Sequence, residues 1–312
     1  MNNYDLIIVG AGPAGLNASV YASRYGLKNI IIGEVSGGLV TQTNEIGNWL
    51  GEKNITGYDF TKRAVEHVKS LGAEILPATV NKIKKKGTGF KLILSNGQEF
   101  TSKTVLIAVG STHRKLGVVG EEELLGKGVS YCATCDGFFY RNKTVAIVGG
   151  SDSAVSAGLF LSNIANRVYL IYRKDKLRAE KFWIDLIEKN KNVTIIYNTN
   201  IKKIVGGDRV EKIKLDKPFN GHMELKVAGV FIEIGFEPNV EMARKLGVKL
   251  DKDEYIKVDN SGKTSVAGIW AAGDITTGSN KFKQIITAAA EGAIAVNDIQ
   301  NYLKNSLYEN RN

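Results

Sequence analysis

The sequence predicts an α/β protein of two three-layer domains, each built on a parallel βαβ unit with an inserted β-meander. Three observations favour this fold class. The length of 312 residues is about twice that of an average domain. The segments 6–34 and 145–173 align without a gap, and each follows the order strand, glycine turn, helix, strand. A β-rich stretch follows each unit and ends in a short apolar strand before a glycine.

Each βαβ unit begins with a short apolar strand of the kind buried in parallel sheets. Little side-chain bulk in the following turn lets backbone N–H groups approach a pyrophosphate at the helix N-terminus. Two copies in this context predict two Rossmann-like domains of the FAD/NAD(P)-binding type. The first unit comprises Leu6–Val9, the turn Gly10-Ala11-Gly12-Pro13-Ala14-Gly15, a helix to about Tyr25 and Ile30–Ile32. The second comprises Val145–Val148, the turn Gly149–Ala154, a helix to about Asn163 and Val168–Tyr172.

The order of the remaining segments predicts the domain boundaries. The two meanders pass through 90–110 and 201–235. A final strand over 268–274 and a helix from about Phe282 to Leu303 have no counterpart after the second unit, so we assign them to the first domain. The first domain is therefore predicted to be discontinuous, with residues 1–113 and 245–312, and the second to span 114–244.

The residue at the end of the second strand differs in charge between the units. Glu34 stands 24 residues after Gly10, and Arg173 stands 24 residues after Gly149. A carboxylate accepts hydrogen bonds from ribose hydroxyls, whereas Arg173, Lys174 and Arg178 offer cations to a 2′-phosphate. We therefore predict an FAD-binding first domain and an NADPH-binding second domain. A solvated strand end is the alternative interpretation of the three cations.

Candidate cofactor contacts follow from these units and from the closing strand and helix. Asp274 is expected to accept hydrogen bonds from a flavin ribityl chain, with a helix N-cap as the alternative. The positive end of the closing helix is expected to stabilise a reduced flavin, unless it is an ordinary amphipathic start. The FAD candidates are Gly10, Gly12, Pro13, Ala14, Gly15, Glu34, Gly38, Leu39, Asn48, Ala108, Gly110, Gly273, Asp274, Lys283, Gln284 and Ile285. The NADPH candidates are Gly149, Ser151, Asp152, Ser153, Arg173, Lys174, Arg178 and Gly235.

The two cysteines form a C-x-x-C motif, Cys132-Ala133-Thr134-Cys135. Zinc would need two further ligands, but the three histidines are scattered through the sequence, so we expect no metal. The spacing permits a disulfide and lowers a thiol pKa, which predicts a pair that cycles between dithiol and disulfide. Asp136 is either a proton donor and acceptor to the departing thiolate or a turn residue before Gly137.

Composition and charge limit the partners. Lys plus Arg exceed Asp plus Glu by 42 − 32 = 10, which indicates a solvated basic surface or attraction to an anionic cofactor or acidic partner. The basic run Lys82–Lys86 lies between alternating apolar stretches and predicts a hairpin edge, so no nucleic-acid partner is expected. There is no basic segment before an N-terminal apolar run and no apolar stretch of the ~18 residues that span a bilayer. We therefore expect a cytoplasmic protein without a membrane partner.

These motifs together resemble the low-molecular-weight thioredoxin reductases of bacteria and archaea, in the pyridine nucleotide-disulfide oxidoreductase family. The resemblance implies FAD and NADPH domains joined by a two-stranded hinge, a homodimer, and electron transfer from NADPH through the cysteine pair to thioredoxin. It also implies that Cys135 faces the flavin, that Cys132 attacks the thioredoxin disulfide and that Asp136 is the acid-base group. The matching stretches are Gly10–Gly15, Asn48-Trp49, Cys132–Phe139, Arg173–Glu180, Gly273-Asp274 and Lys283-Gln284.

Several departures from the family pattern keep alternatives open. Ser151 replaces the central glycine of the second turn, Lys174 replaces an arginine, and Tyr172 stands where histidine is common. The Lys283-Gln284 pair is closer to the related peroxiredoxin reductases, and Leu39 and Leu50 replace common Gln and Pro residues. NADH or ferredoxin as donor, a peroxiredoxin-type protein or oxygen as acceptor, and a non-enzymatic flavin redox sensor therefore remain as alternatives.

Overall fold

The computed structural model describes residues 3–42 and 46–309 and divides into two compact units. Unit 1 comprises Met1–Thr112 and Pro238–Asn312, and unit 2 comprises His113–Glu237. The first boundary lies one residue before the predicted one. The second lies seven residues before the predicted boundary at 244/245, because Val240 and Ala243 are buried in the same apolar cluster as Ile7 and Val105 of unit 1.

The helices and strands occur in the predicted order, with a βαβ unit and then a β-meander in each half of the chain. Residues 3–113 contain β1 (Asn3–Val9), α1 (Pro13–Arg24), β2 (Asn29–Ile32), α2 (Gly57–Ser70), β3 (Glu74–Leu76), β4 (Val80–Lys86), β5 (Gly89–Leu94), β6 (Glu99–Ile107) and β7 (Ser111–His113). Next come β8 (Val129–Ser130), α3 (Ala133–Asp136), β9 (Thr144–Val148), α4 (Asp152–Ser162), β10 (Arg167–Ile171), α5 (Lys181–Glu188) and β11 (Val193–Ile196). The rest are β12 (Ile201–Gly206), β13 (Val210–Phe219), β14 (His222–Lys226), β15 (Gly229–Ile232), β16 (Phe236–Pro238), α6 (Glu241–Lys245), β17 (Ile269–Ala271) and α7 (Ile285–Glu309).

In unit 1 the parallel sheet and the meander share a strand. The order is β3-β2-β1-β6-β5-β4, and β17 also pairs with β6. The β1, β2, β3, β6 and β17 pairings are parallel, whereas β4, β5 and the first half of β6 form the antiparallel meander. Alternate residues of β1 face opposite layers: Leu6 and Ile8 pack with α1 and α7, and Ile7 and Val9 pack with the meander. The lysine-rich β4 is the edge strand, as predicted.

In unit 2 the two sheets are separate. An all-parallel sheet has the order β11-β10-β9-β15-β8, and an antiparallel sheet has the order β12-β13-β14. Residues Val145 and Ile147 of β9 pack on the side of α4 and α5, whereas Ala146 and Val148 pack on the side of the meander. The predicted three-layer α/β arrangement is therefore found in both units. The connecting segments β7 and β16 pair in a two-stranded sheet.

The closing helix begins later than predicted. Helix α7 begins at Ile285 rather than at Phe282, because Phe282 is extended and Thr287 Oγ1 donates to the Phe282 carbonyl at 2.7 Å. Close packing of α7 on α1 requires Gly292, where a Cβ would lie 2.2 Å from the Ala14 carbonyl oxygen. Among the described residues, no helix is long and apolar enough to cross a membrane.

Candidate functional site

The first glycine turn joins β1 to α1 and leaves space at the helix N-terminus. Gly10 has φ +114°, and a Cβ there would lie 2.2 Å from the Ala108 carbonyl oxygen, so the turn packs directly on β6. Gly12 is the N-cap of α1 and has no side chain to cap the helix. A Cβ on Gly12 would meet no atom within 4 Å. The first-turn N–H groups therefore face open space, as a bound pyrophosphate would require.

Several predicted FAD contacts gather around this turn. A Cβ on Gly38 would lie 3.5 Å from the Gly12 Cα, and one on Gly273 would lie 3.0 Å from the Ala14 Cβ. The Asn48 Nδ2 donates to Gln284 Oε1 at 2.9 Å, which joins two predicted contacts 236 positions apart. Parallel strands present their carboxyl ends at one edge of a sheet, so β1, β6 and β17 explain this convergence.

Asp274 lies just after the carboxyl end of β17. Burial raises the pKa of its carboxyl group, the Glu291 charge raises it further, and the Lys283 charge lowers it. No described side chain or N–H donates to this carboxylate, although a partly buried carboxylate needs donors. The hydroxyls of a ribityl chain would supply them. The N-cap alternative is wrong, because the short 3-10 helix Gly278–Lys281 has Thr277 as its N-cap.

Two further predicted FAD contacts have protein partners. Glu34 is exposed after β2, and its carboxylate accepts a hydrogen bond from the Thr79 hydroxyl. The Lys283 ammonium donates to the Tyr255 hydroxyl and lies 4.1 Å from the centre of the Tyr255 ring. Tyr255 and Thr79 were absent from the predicted set, because nothing in their local sequence marks a contact with residues so distant in the chain.

The second glycine turn joins β9 to α4 and repeats the first in its backbone. Gly149 has φ +149°, and a Cβ there would lie 2.2 Å from the Glu233 carbonyl oxygen. Ser151 is the N-cap of α4, but its side chain makes no capping hydrogen bond. The segment after β10 folds onto the turn, since the Arg178 N–H donates to the Gly150 carbonyl at 2.7 Å. The Asp152 carboxylate accepts from the Glu180 N–H at 2.7 Å.

The cations predicted for a 2′-phosphate lie at the end of β10. Arg173, Lys174 and Arg178 are exposed, and no carboxylate of the described residues forms an ion pair with them. Tyr172, in contrast, is only 5% exposed, its hydroxyl has no hydrogen-bond partner within the described part of the chain, and its ring fills the space beside Gly150. Gly235 has φ +97° and no atom within 4 Å of an added Cβ, so the surface beside it is open.

The cysteine pair follows the edge strand β8. Cys132 and Cys135 form a disulfide. Cys132 is the N-cap of α3, and its Sγ accepts a hydrogen bond from the Cys135 N–H at 3.1 Å. Cys135 is exposed, whereas Cys132 is half-buried. The predicted pairing of the two cysteines is thus found as the oxidised form of a redox pair, held in one tight turn.

The surroundings of the pair are apolar and acidic. Phe138 and Phe139 are 58% and 73% exposed, which is unusual for large aromatic side chains. The charge of Asp136 raises the pKa of Tyr140, although burial is the larger cause of that shift. Among the described residues, no cluster of His, Cys, Asp and Glu could hold a metal ion.

Sequence reasoning missed Glu233, which follows β15. Burial raises the pKa of its carboxyl group to about 8, and a hydrogen bond from the Ala133 N–H opposes this effect. The signal was present, since Glu233 is the one acidic residue in the apolar run Val230–Ile234. A carboxyl group whose charged form is disfavoured by burial is a candidate functional group.

Two open helix N-termini at sheet edges and a C-x-x-C disulfide in one chain define a nucleotide-dependent disulfide oxidoreductase. Residues 4–292 match the model of the family described as pyridine nucleotide-disulphide oxidoreductase. The chain belongs to this family, and its relatives place it among the low-molecular-weight thioredoxin reductases. It is therefore an oxidoreductase that uses a flavin and a pyridine nucleotide.

Relatives and solved structures agree with this placement. A protein of Listeria innocua named thioredoxin reductase is 38% identical over 304 residues, with 96% of this chain and 94% of the relative covered. The crystal structure of Lactococcus lactis thioredoxin reductase has a TM-score of 0.90 and 34% identity, covering 97% of this chain and 99% of that one. That of T. acidophilum thioredoxin reductase has a TM-score of 0.88 and 36% identity, covering 96% and 99%.

Proposed function

We propose that the protein is an NADPH-dependent thioredoxin reductase that catalyses NADPH + H⁺ + oxidised thioredoxin → NADP⁺ + reduced thioredoxin. The observation that carries this proposal is the Cys132–Cys135 disulfide after the edge strand β8 of a sheet in which β9, two strands away, ends in a glycine turn of the dinucleotide-binding type. The relatives named thioredoxin reductase match nearly the whole chain, which supports the same reaction.

Unit 1 is proposed to bind FAD. The N-terminus of α1 would face the pyrophosphate, the exposed Glu34 would accept from a ribose hydroxyl, and Asp274 would accept from the ribityl chain. Lys283, fixed against Tyr255, would place a positive charge near the flavin. Bound FAD would supply the two-electron transfer between a nicotinamide and a disulfide, which no side chain can perform. The remaining candidates named above are also proposed to contact FAD.

Unit 2 is proposed to bind NADPH. The N-terminus of α4 would face the pyrophosphate, and the exposed guanidinium of Arg173 would take the 2′-phosphate with Lys174 and Arg178. The absence of carboxylate partners for these cations among the described residues supports this role, because their charges are free for a ligand. Gly149, Ser151, Asp152, Ser153 and Gly235 are proposed to line the site.

The cysteine turn is proposed to pass electrons to thioredoxin. Reduction breaks the Cys132–Cys135 bond, and the Cys132 thiolate then attacks the thioredoxin disulfide to form a mixed disulfide. Cys135, the more exposed of the two here, is proposed to face the flavin and to release thioredoxin by attacking that mixed disulfide. Asp136 is proposed to supply and remove the proton at the departing sulfur.

A different electron donor is the second candidate, and specific observations favour it. The Ser151 side chain extends from the N-cap where unit 1 has Gly12, and Tyr172 fills the space beside Gly150. Either feature would hinder close approach of the pyrophosphate that NADPH and NADH share, which favours a reduced protein such as ferredoxin as donor. Lys174, which stands in place of an arginine that would form a bidentate contact with the 2′-phosphate, is the feature that leaves NADH as donor. A peroxiredoxin-type protein is the corresponding alternative acceptor. Membership in an oxidoreductase family argues against the hypothesis of a non-enzymatic flavin redox sensor.

We further propose a cytoplasmic homodimer in which unit 2 rotates during turnover. The proposal of rotation rests on chain order, since Cys135 and Gly149 lie 14 residues apart in one unit and both must reach one flavin. The paired segments β7 and β16 would be the pivot. Sedimentation of the purified protein tests the dimer, and a single orientation in every redox and ligand state would contradict the rotation.

Steady-state kinetics with purified thioredoxin tests the proposed function. We expect NADPH oxidation that depends on thioredoxin and saturates with it, while glutathione disulfide at equal concentration gives no comparable rate. Flavin that NADPH reduces, but that does not pass electrons to any thioredoxin, would point to the alternative acceptor. Flavin that only a protein donor reduces would point to the alternative donor.

A further inference from the structure

Glu233 lies between the cysteine turn and the nucleotide turn at one edge of the unit 2 sheet. The strands β9, β15 and β8 are neighbours and run parallel. Their carboxyl ends lead into Gly149, Glu233 and Cys132 respectively, because β15 pairs in register with both neighbours. The Glu233 N–H donates to the Val148 carbonyl at 2.8 Å, so the pairing continues up to the glutamate.

The glutamate side chain projects toward the cysteine turn. Strand residues alternate between faces, and Phe231 packs in the cluster on the helix side while Ile232 packs on the meander side. Glu233 therefore shares the face of Phe231, where Ala133 of α3 is also buried. Its carboxyl group accepts the Ala133 N–H, at the first residue after Cys132.

The neutral form of this carboxyl group is favoured where it lies. Its pKa of about 8 means that Glu233 is mostly uncharged at neutral pH and ionises as the pH rises above 8. The titratable groups on the elements that meet at this edge are Cys132, Cys135 and Asp136 on the α3 turn, Asp152 at the start of α4, and Tyr140 and Tyr172, which pack in the same cluster as Phe231. The pKa of Glu233 is set by burial and by the Ala133 N–H, so a thiolate formed at the cysteine turn would add a negative charge beside this carboxyl group.

We propose that Glu233 is a positioning residue of the redox pair, whose carboxyl group accepts the Ala133 N–H and so holds the cysteine turn in place while a cysteine thiolate forms. The proposal rests on the proposed function in one respect, that the pair is reduced and reoxidised in turnover. Reduction breaks the S–S bond, takes up two electrons and one proton, and leaves one thiol and one thiolate. By linkage, a thiolate beside Glu233 must raise the pKa of its carboxyl group in return.

Infrared spectroscopy of the whole protein tests this linkage without nucleotide or thioredoxin. The pair is kept oxidised or reduced with excess tris(2-carboxyethyl)phosphine, and the stretching band of the protonated carboxyl group is followed against pH. We expect a band that Glu233→Gln removes, with a midpoint near pH 8 in the oxidised protein. In the reduced protein, we expect the midpoint to rise by about one pH unit. Glu237→Gln, an exposed carboxylate on β16, is the matched control and should retain the band.

Hydrogen exchange tests the positioning role separately. Glu233→Gln keeps an acceptor for the Ala133 N–H, whereas Glu233→Ala removes it. We expect the Ala133 amide to exchange about tenfold faster in the alanine variant and near the wild-type rate in the glutamine variant. Equal exchange in all three proteins would overturn the positioning role. No titrating band assigned to Glu233, or one midpoint in both redox states, would overturn the linkage, whether or not the protein reduces thioredoxin.

Discussion

The two glycine turns of this protein have nearly the same backbone but different surroundings. Gly10 and Gly149 both have positive φ, and a Cβ on either would lie 2.2 Å from a carbonyl oxygen of the neighbouring strand. The helix N-cap, however, is Gly12 in unit 1 and Ser151 in unit 2. The repeat therefore preserves the packing of turn against sheet, whereas the side chains around the turn differ between the units.

The strand ends extend the same comparison. Unit 1 places the carboxylates of Glu34 and Asp274 at its edge, whereas unit 2 places the cations of Arg173 and its neighbours there. Carboxylates suit the hydroxyls of a ribose or ribityl chain, and guanidinium groups suit a phosphate. Unit 2 also carries the cysteine pair, which follows β8 and for which unit 1 has no equivalent. The two units therefore differ in the charge at their strand ends, and one of them also carries the reactive group.

The largest predicted effect comes from removing the reactive disulfide while both glycine turns are left intact. Replacing the sulfur nucleophile in Cys135→Ser prevents the disulfide, so thioredoxin reduction should fall by on the order of a thousandfold or more. Flavin content and the rate of flavin reduction by NADPH should remain, because both glycine turns are intact. Stopped-flow absorbance and steady-state turnover measure the two effects, and near-normal turnover with thioredoxin would contradict the assignment.

The second prediction distinguishes two roles of glycine in the first turn, which are packing against the sheet and leaving room for FAD. An added Cβ in Gly12→Ala occupies open space, so the fold should persist while FAD affinity falls by about a hundredfold. In Gly10→Ala the Cβ meets the Ala108 carbonyl at a positive φ, so stability should fall by about 3 kcal/mol or more. Flavin content and thermal unfolding of both proteins check this, and equal loss of stability would show that Gly12 also has a packing role.

The third prediction concerns the cations after β10 and the preference for NADPH over NADH. Arg173→Ala should raise KM for NADPH about tenfold and leave KM for NADH unchanged, because the lost charge-assisted bond involves the 2′-phosphate alone. Lys176→Ala removes an exposed cation of the same loop and serves as the control. If both variants change KM for both nucleotides alike, the cations act through general electrostatic attraction rather than recognition.

The smallest predicted effect concerns the N-cap that distinguishes the turns. Ser151→Gly restores the geometry of Gly12 to the second turn, and we expect KM for NADPH to fall about threefold. The Ser151 side chain makes no capping hydrogen bond, so helix stability should change by only a few tenths of a kcal/mol. A rise in KM would instead show that the Ser151 hydroxyl itself contacts the nucleotide.

Local patterns in the sequence predicted much of this architecture. The gapless repeat located both turns, and alternating apolar residues located the meanders and the edge strand β4. The sequence did not reveal that β6 serves both the parallel sheet and the meander of unit 1, whereas unit 2 keeps two sheets. Both arrangements need the same strands in the same order, so the difference arises from pairing between distant segments.

The errors and omissions of the prediction also have physical causes. The amphipathic pattern extends to Phe282, but a hydrogen bond from Thr287 Oγ1 delays the start of α7. The compact units divide at 237/238, before the predicted boundary at 244/245, because burial of Val240 and Ala243 in the core of unit 1 depends on tertiary packing. Glu233 was missed although it is the one acidic residue of an apolar run, and its contact with Ala133, one hundred positions earlier, could not be read from the sequence. The roles of the predicted cofactor contacts stay predictions.

The central claim is that unit 2 binds the nicotinamide dinucleotide that carries a 2′-phosphate. Anaerobic titration of the flavin-loaded protein with NADPH, and separately with NADH, tests this claim most directly. We predict that about one equivalent of NADPH bleaches the visible flavin band, and that NADH needs at least about tenfold higher concentration to do so. Bleaching by dithionite but by neither nucleotide would contradict the claim, and the electrons would then have to come from a protein donor.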